Sequence, residues 1–298
     1  MQRLQLSSGD LVADRRADYA LMLHEAGDHI SAAGLMRDTL ALVPGWVAGW
    51  YRLGEMLEAL SEGSGASDAY REALRLDAAD RLGAGLKLAA AGEVAVPASP
   101  PPAFVEALFD QYAPQFDGAL VDRLEYRVPE VLSAALRAIP GRFTHLVDLG
   151  CGTGLMAERL TDRADFIEGV DISAGMLRQA ERKRLYGRLT NADLASFEIP
   201  AKADLVTAAD VLMYVGALDG LFSRLQILTS GAVAAFSVEL HDGPDDFVLR
   251  PSRRYAHSRA YLRRLLEPCF RIVSMERATI RMDRGEPIEG LIVVARRS

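Results

Sequence analysis

Two patterns of hydrophobic and polar positions divide this chain at a proline-rich stretch. Residues 1–94 have the pattern of successive amphipathic helices, whereas from residue 143 onward short apolar runs alternate with amphipathic stretches. Between them, residues 95–102 (AVPASPPP) are uncharged and rich in proline, which cannot continue a helix. Residues 103–142 are again helical in pattern and rich in aromatic side chains. The pattern predicts a helical domain (1–94), a linker (95–102), a helical segment (103–142) and an α/β core (143–298).

The helical domain contains an internal period of 34 residues. Ala32, Leu40 and Leu42 each have an identical residue 34 positions later, and Met36 is matched there by Tyr70. A helix–turn–helix unit of this length is typical of the tetratricopeptide repeat, and two copies with a trailing helix form a short solenoid. The alternative is a set of paired amphipathic helices without a true repeat. Because such solenoids hold peptides, the repeats predict a peptide or protein partner.

Seven apolar runs beyond residue 143 are predicted to be strands. Helical stretches separate the first five, which predicts a parallel sheet with right-handed crossovers. A turn containing glycine and proline joins the last two, which are expected to pair as an antiparallel hairpin. The predicted strands are THLVDLG, FIEGVD, GRLTNAD, ADLVTAAD, GAVAAFSVEL, FRIVSMERATI and EGLIVVARR. The expected fold class is therefore α/β, with a doubly wound sheet.

Composition narrows the function classes. The two cysteines are too few for a disulfide framework, and the first residues lack the apolar core of a signal peptide. No apolar stretch approaches the ~20 residues that cross a bilayer. We therefore expect a cytoplasmic protein without membrane contact. The net charge of −7 and generally arginine-rich composition give no case for nucleic-acid binding, and the five scattered histidines give none for a metal site.

A glycine-rich loop follows the first predicted strand, and an acid stands at or just beyond the end of each of the first five strands. In a doubly wound sheet these ends line the ligand crevice. The acids are Asp148, Asp171, Asp193, Asp210 and Glu239. Such a crevice repels the pyrophosphate of a dinucleotide but suits S-adenosylmethionine, which carries a sulfonium and an ammonium against one carboxylate.

The spacing of the glycines supports the same cofactor. Gly150, Gly152 and Gly154 are two residues apart, and the third glycine of a dinucleotide-binding motif would fall on Leu155. Asp171 follows Gly150 by 21 residues, where a carboxylate accepts both hydroxyls of a ribose. The loop therefore favours S-adenosylmethionine over a nicotinamide cofactor.

These motifs carry a resemblance to a known family. The segment VDLGCGTG…GVDIS…NADL…AADVLMYVG resembles class I S-adenosylmethionine-dependent methyltransferases. With the repeats, FDQYAPQFD, LEYRVPE and RYAHSRAYL resemble a bacterial group of methyltransferases with N-terminal tetratricopeptide repeats. That group is similar to the trans-aconitate methyltransferase class, which is a loose guide to the substrate. The resemblance implies a seven-stranded Rossmann-like sheet in the order 3-2-1-4-5-7-6, with the seventh strand antiparallel.

The resemblance also implies roles for individual residues. The methionine moiety of the cofactor is expected against Asp148, Gly150 and Gly152, and the ribose on Asp171. The adenine is expected among Ile172, Met176, Asp193 and Leu194, and Gly154 is a further contact in the loop. Asp210 is expected near the transferred methyl. The resemblance also implies that the segment 103–142 is a lid, which contacts the cofactor through Tyr112 and Phe116.

Methyl transfer to a protonated acceptor needs a base, whereas a carboxylate acceptor needs none. His257, which precedes a helix capped by Ser258, is the best candidate base, and a histidine that holds backbone is its equal alternative. His241 is a weaker candidate, and Tyr214 is expected to line the pocket or to pack.

The sequence leaves the acceptor open. The leading hypothesis is a methyltransferase that acts on a small molecule or a protein. A binding or assembly protein that keeps the cofactor fold with little turnover is the alternative from another class, and a nicotinamide oxidoreductase is the third.

Overall fold

The computed structural model describes residues 6–118, 126–283 and 285–298, which divide into two compact units. Unit 1 comprises residues 1–107 with residues 251–253, and unit 2 comprises the rest. The division falls inside a helix that begins at Pro102, beyond the proline-rich stretch. No helix in the described ranges is long and apolar enough to cross a membrane.

Unit 1 is built from consecutive antiparallel helices. Their bounds are α1 (Leu11–Glu25), α2 (His29–Leu42), α3 (Val47–Ala59), α4 (Gly63–Leu76) and α5 (Ala84–Ala90). The side chains of Asp10 and Asp28 accept backbone N–H groups at the starts of α1 and α2, which fixes where those helices begin. Helix α4 begins and ends 34 residues after α2, which is the period in the sequence. The assignment to the tetratricopeptide class stays a prediction.

Arg253 belongs to unit 1 although it lies far along the chain from the helices. It has a left-handed backbone conformation, with φ of 63°. Its guanidinium donates to the hydroxyl of Tyr51 and to the carbonyl of Leu82, both at 2.8 Å. It also lies over the rings of Tyr51 and Phe104, at 5.8 and 5.0 Å from their centroids. The helices therefore hold an arginine side chain by hydrogen bonds and cation–π contacts.

Unit 2 contains a mixed sheet flanked by helices on both faces. Its helices are the second half of α6 (Pro102–Tyr112), then α7 (Phe116–Gly118), α8 (Val128–Leu136), α9 (Leu155–Glu158), α10 (Ala174–Lys183), α11 (Asp219–Leu225) and α12 (Arg259–Leu266). Its strands are β1 (Phe143–Leu149), β2 (Ala164–Asp171), β3 (Arg188–Asn191), β4 (Leu205–Ala208), β5 (Val233–Leu240), β6 (Phe247–Leu249), β7 (Tyr255–His257), β8 (Phe270–Asp283) and β9 (Glu286–Arg297).

The sheet contains the predicted topology and two strands more. Strands β3, β2, β1, β4 and β5 are parallel neighbours in that order, β9 pairs antiparallel with β5, and β8 forms a hairpin with β9. The expected count of seven was wrong for the described residues, because β6 and β7 form a short antiparallel ribbon. Two residues of β7 pair in parallel with the end of β5. A strand of three residues is too short to show a recognisable alternation of apolar and polar residues in the sequence.

Both faces of the central strands are buried. Alternate residues of β1 face opposite ways, so Val147 and Leu149 pack into one apolar cluster and Leu146 into another. This double burial explains why the strands are near-continuous apolar runs. Their parallel pairing places their carboxyl ends at one edge of the sheet.

Close packing in unit 1 depends on a glycine. A Cβ atom on Gly54 in α3 would lie 2.5 Å from the ring of the buried Tyr70 in α4, so only glycine allows this approach. We predict that Gly54→Ala lowers the free energy of unfolding by about 1–2 kcal/mol, since overpacking outweighs the gain in helix propensity. Urea denaturation measures this change.

Gly34→Ala in α2 is the matched control. A Cβ atom there meets nothing within 4 Å, so the gain in helix propensity should stabilise by about 0.5–1 kcal/mol. Equal stability of the two variants would contradict the packing argument.

Candidate functional site

The three glycines of the loop after β1 have two roles. All have positive φ, at 63°, 54° and 96° for Gly150, Gly152 and Gly154. A Cβ atom on Gly150 would lie 2.3 Å from Val211, and one on Gly154 would lie 3.1 Å from Tyr186, so both glycines admit protein side chains. A Cβ atom on Gly152 would meet only Phe116, at 3.8 Å. Gly152 is therefore the position of the loop that leaves room for a ligand.

Asp171, the last residue of β2, joins this loop to the start of α10. Its Oδ2 accepts the N–H of Gly152 at 2.9 Å and its Oδ1 accepts the N–H of Ser173 at 2.8 Å. A carboxylate has about four lone-pair sites, so two stay available to other donors. Burial raises the pKa of Asp171 to about 6 against the opposing effect of these hydrogen bonds.

Asp148 in β1 is held by side chains that the sequence analysis did not single out. The hydroxyl of Thr207 donates to its Oδ1 at 2.7 Å and the hydroxyl of Tyr186 donates to its Oδ2 at 2.8 Å. Burial raises the pKa of Asp148 to about 6, and Asp171 contributes in the same direction. The structure thus brings Asp148, the glycine loop and Asp171 together, with Asp148 only 1% exposed.

The other expected adenine contacts lie in the segments that follow β2 and β3. Ile172 and Leu194 are half-buried, and Met176 is buried in the first turn of α10. Asp193 accepts the N–H of Ala195 at 2.8 Å, which fixes the turn after β3. Tyr112 is 53% exposed.

The acids at the ends of β4 and β5 are paired with an arginine. Arg281 in β8 donates to Asp210 at 2.9 and 3.2 Å and to Glu239, and Arg250 lies 3.7 Å from Glu239. Burial raises the pKa of Asp210, although Arg281 opposes the shift. The expectation that all five acids make the crevice strongly acidic therefore does not hold for this half, because Arg281 comes from a strand far along the chain and offsets the charge of Asp210 and Glu239.

Tyr214 lies in a short 3₁₀ turn after β4. Its ring packs edge-on against Phe109, with centroids 5.0 Å apart. Its side chain interacts electrostatically with Arg254, whose guanidinium donates to Asp283 at 3.4 Å. Tyr214 and the partly exposed Arg254 therefore form a polar pair beside the Asp210–Arg281–Glu239 network.

His257 lies in β7 and is fully buried, with Nε2 at 2.9 Å from the carbonyl oxygens of Val215 and Gly216. Carbonyls only accept, so Nε2 carries the hydrogen and Nδ1 is the basic nitrogen. Burial lowers the pKa of His257 to about 4, although the carbonyls oppose this shift. The geometry supports the alternative that this histidine holds backbone, since a group with this pKa is a poor base at neutral pH.

His241 is also hydrogen-bonded to the backbone, but as an acceptor. Its Nδ1 accepts the N–H of Gly243 at 3.1 Å, so in the neutral ring Nε2 carries the hydrogen. Neither histidine presents a basic nitrogen suited to deprotonating an acceptor.

Two further acids, Asp110 in α6 and Asp117 in α7, also contact the turns of the site. Asp110 accepts the hydroxyl of Ser173 at 2.6 Å and the N–H of Gly175 at 2.8 Å. Asp117 accepts the hydroxyl of Thr153 in the glycine loop. Both acids lie in FDQYAPQFD, so the motif was visible, but its partners are 36 to 65 residues away. In the described ranges no group of three or more histidine, cysteine or acidic side chains is arranged to hold a metal ion.

The depressed pKa of His257 predicts a pH-dependent stability. Below the ordinary pKa of about 6.5 the unfolded state binds a proton that the native state refuses until about pH 4, so stability is lost as the pH falls. We expect the stability advantage of the wild type over His257→Gln to shrink by about 2 kcal/mol between pH 7 and pH 5.

Urea denaturation of both proteins at each pH tests this expectation. Asp148 and Asp171 titrate in the same range with the opposite sign, and the comparison at equal pH cancels them. A difference that is the same at both pH values would show that His257 titrates normally in the native state.

Comparisons with known proteins agree with this geometry. A family profile described as "Methyltransferase domain" matches residues 146–228. The chain is 35% identical over 114 residues to methyltransferase-like protein 27 of Homo sapiens, which covers 37% of this chain and 45% of that protein. It is 36% identical over 138 residues to a trans-aconitate 2-methyltransferase of Acidovorax sp. (strain JS42), covering 44% of this chain and 51% of that protein. The chain thus spans about half the length of these curated relatives.

Among solved structures, the chain is similar to a magnesium protoporphyrin IX methyltransferase from Synechocystis PCC 6803 with bound S-adenosylhomocysteine. The two are 23% identical with a TM-score of 0.46, over 58% of this chain and 83% of that one. Residues 146–228 thus match a methyltransferase domain, and the relatives that share this part of the chain are methyltransferases.

Proposed function

We propose that this protein is an S-adenosylmethionine-dependent methyltransferase whose acceptor is a small molecule with a carboxylate as the methylated group. The observation that carries the proposal is the division of the crevice by charge. Asp148 and Asp171 lie at the ends of β1 and β2, whereas guanidinium groups accompany the acids at the ends of β4 and β5. A cationic cofactor fits the first half, and an anionic acceptor fits the second.

The described residues fit the cofactor. Asp171 has two lone-pair sites left for the hydroxyls of a ribose, and Gly152 leaves room for close approach of the methionine moiety. Asp148 acts as a positioning residue, because both of its oxygens already accept hydroxyls. Ile172, Met176, Asp193 and Leu194 are proposed to surround the adenine.

When bound, the cofactor would supply an activated methyl group, with a C–O bond to the acceptor forming in line as the C–S bond breaks and S-adenosylhomocysteine leaves. The chain contributes alignment and exclusion of water, which in well-oriented reactions lower a barrier by up to ~7–11 kcal/mol. Nε2 of His257 is committed to two backbone carbonyls and Nδ1 of His241 accepts a backbone N–H, so neither ring is placed to take a proton from an acceptor, and the acceptor has to be ionised already. A carboxylate meets this requirement at neutral pH.

Arg254 and Tyr214 are the proposed recognition groups for that carboxylate. Arg254 is partly exposed, interacts electrostatically with Tyr214 and is only loosely paired with Asp283. A guanidinium binds a carboxylate through two parallel hydrogen bonds. The similarity to a trans-aconitate 2-methyltransferase supports an acidic acceptor. The helical repeats of unit 1 are proposed to recognise the acceptor or a protein partner.

The cofactor assignment predicts a pH-dependent affinity. Asp148 and Asp171 both have a pKa of about 6, so they lose their charge as the pH falls below that value. If binding requires one of these carboxylates to be ionised, its protonation lowers the affinity for S-adenosylmethionine by about tenfold between pH 7 and pH 5. A second such carboxylate lowers the affinity by about the same factor again. Calorimetry measures the dissociation constants, and Asp171→Asn should bind more weakly at pH 7 and show a smaller pH dependence. An affinity that does not change with pH would contradict the assignment.

The acceptor assignment predicts formation of a methyl ester. Incubation with methyl-labelled S-adenosylmethionine and a panel of di- and tricarboxylates that includes trans-aconitate should give a labelled product. Alkali should release its label as volatile methanol, because esters hydrolyse and methyl ethers and methylamines do not. We expect Arg254→Gln to raise the KM for the acceptor at least tenfold with an unchanged affinity for the cofactor.

Arg142→Gln is the control, since Arg142 is an exposed arginine at the opposite end of β1 that pairs with Asp165. A product with an alkali-stable label would exclude a carboxylate acceptor. Cofactor binding without transfer to any carboxylate or other acceptor would support a binding protein instead.

A further inference from the structure

One short segment touches the turns that follow β1, β2 and β4. We name this segment, residues 108–118, the strap. Its Asp110 bonds to the turn after β2 and its Asp117 to the loop after β1. Its Phe109 packs on Tyr214 after β4, and the ring of Phe116 lies nearest to the open side of Gly152.

The contact of Asp110 with the first turn of α10 requires a glycine in that turn. A Cβ atom on Gly175 would lie 2.9 Å from Oδ1 of Asp110 and 3.1 Å from Cβ of Ala113. Glycine at this position therefore lets the strap reach the first turn of α10. There, Oδ1 of Asp110 accepts two hydrogen bonds, from the hydroxyl of Ser173 and from the N–H of Gly175.

Ser173 connects the strap to the cofactor-binding acid. Its backbone N–H donates to Asp171, its hydroxyl donates to Asp110, and the same hydroxyl accepts the N–H of Met176. Any movement of Asp110 away from this turn leaves the Ser173 hydroxyl without its acceptor. The position of the strap and the geometry around Asp171 are therefore linked through one residue.

The other end of the strap is fixed by charge as well as by hydrogen bonding. Asp117 accepts the hydroxyl of Thr153, and its Oδ2 lies 2.8 Å from Nζ of Lys183. Lys183 also lies 2.8 Å from Glu158, so one ammonium ties the strap to α9 and α10. Asp110 and Asp117 thus hold the strap at both sides of Gly152 and Asp171.

We propose that Asp110 and Asp117 are positioning residues that clamp the strap over the cofactor, and that exchange of cofactor for product requires this clamp to open. The inference rests on the proposed function, because it assumes that S-adenosylmethionine binds between the glycine loop and Asp171. A clamp slows entry and exit together. A residue that only adds affinity slows exit alone, so the two rates distinguish these roles.

The test measures the association and dissociation rate constants of S-adenosylhomocysteine on the immobilised full-length protein by surface plasmon resonance. We expect Asp110→Ala and Asp117→Ala each to raise the dissociation rate constant at least tenfold and the association rate constant at least threefold. Asp162→Ala is the control, because Asp162 is an exposed acid in the turn before β2, at the other end of that strand.

Gly175→Ala tests the same contact without removing a carboxylate. Its methyl group displaces Asp110, so Gly175→Ala should raise both rate constants as Asp110→Ala does. The double variant with Asp110→Ala and Gly175→Ala should raise each rate constant by less than a further twofold. Rate constants within twofold of wild type, or a dissociation rate constant that rises alone, would overturn the clamp. Failure of the wild type to bind S-adenosylhomocysteine would instead overturn the proposed function.

Discussion

The geometry of the crevice depends on one buried carboxylate. Asp171 accepts backbone N–H groups from the loop after β1 and from the turn that starts α10, so it fixes both turns against each other. The parallel pairing of β1 with β2 places Asp171 beside this loop, because Leu149 is level with Val170. Burial of an acid is costly, which is why its pKa rises to about 6. The two hydrogen bonds offset part of that cost, and the two remaining lone-pair sites are what a ligand can use.

The charges around the crevice are separated rather than uniform. Asp148 is surrounded by the neutral hydroxyls of Thr207 and Tyr186, so its charge is not cancelled by a cation there. Asp210 and Glu239 share Arg281, and Arg250 and Arg254 lie beside them. A reaction between a cationic donor and an anionic acceptor benefits from this separation, since each reactant is attracted to its own half. Their charges cancel during the transfer, and a dry crevice favours that loss of charge.

The sequence predicted those parts of the fold that depend on local patterns. The apolar runs of β1, β2, β4, β5 and β9 are buried on both faces, and such runs are visible without a partner. The glycine loop and Asp171 were visible for the same reason. The ribbon of β6 and β7 was missed because each strand has only three residues. Arg281, Asp110 and Asp117 were missed because each acts on residues that are 36 to 71 positions away, and no local pattern encodes such a contact.

The long-range contacts also explain how one site can serve two opposed requirements. Methyl transfer by alignment needs a closed crevice that excludes water, whereas turnover needs the crevice to open for each exchange of cofactor. A single strong contact would favour closure at the expense of exchange. The strap instead uses several separate polar contacts at its two ends, and Phe109 and Phe116 pack edge-on against each other. Such contacts hold together when all are made, and each becomes weaker once its neighbour is lost, so the strap can be either closed or released.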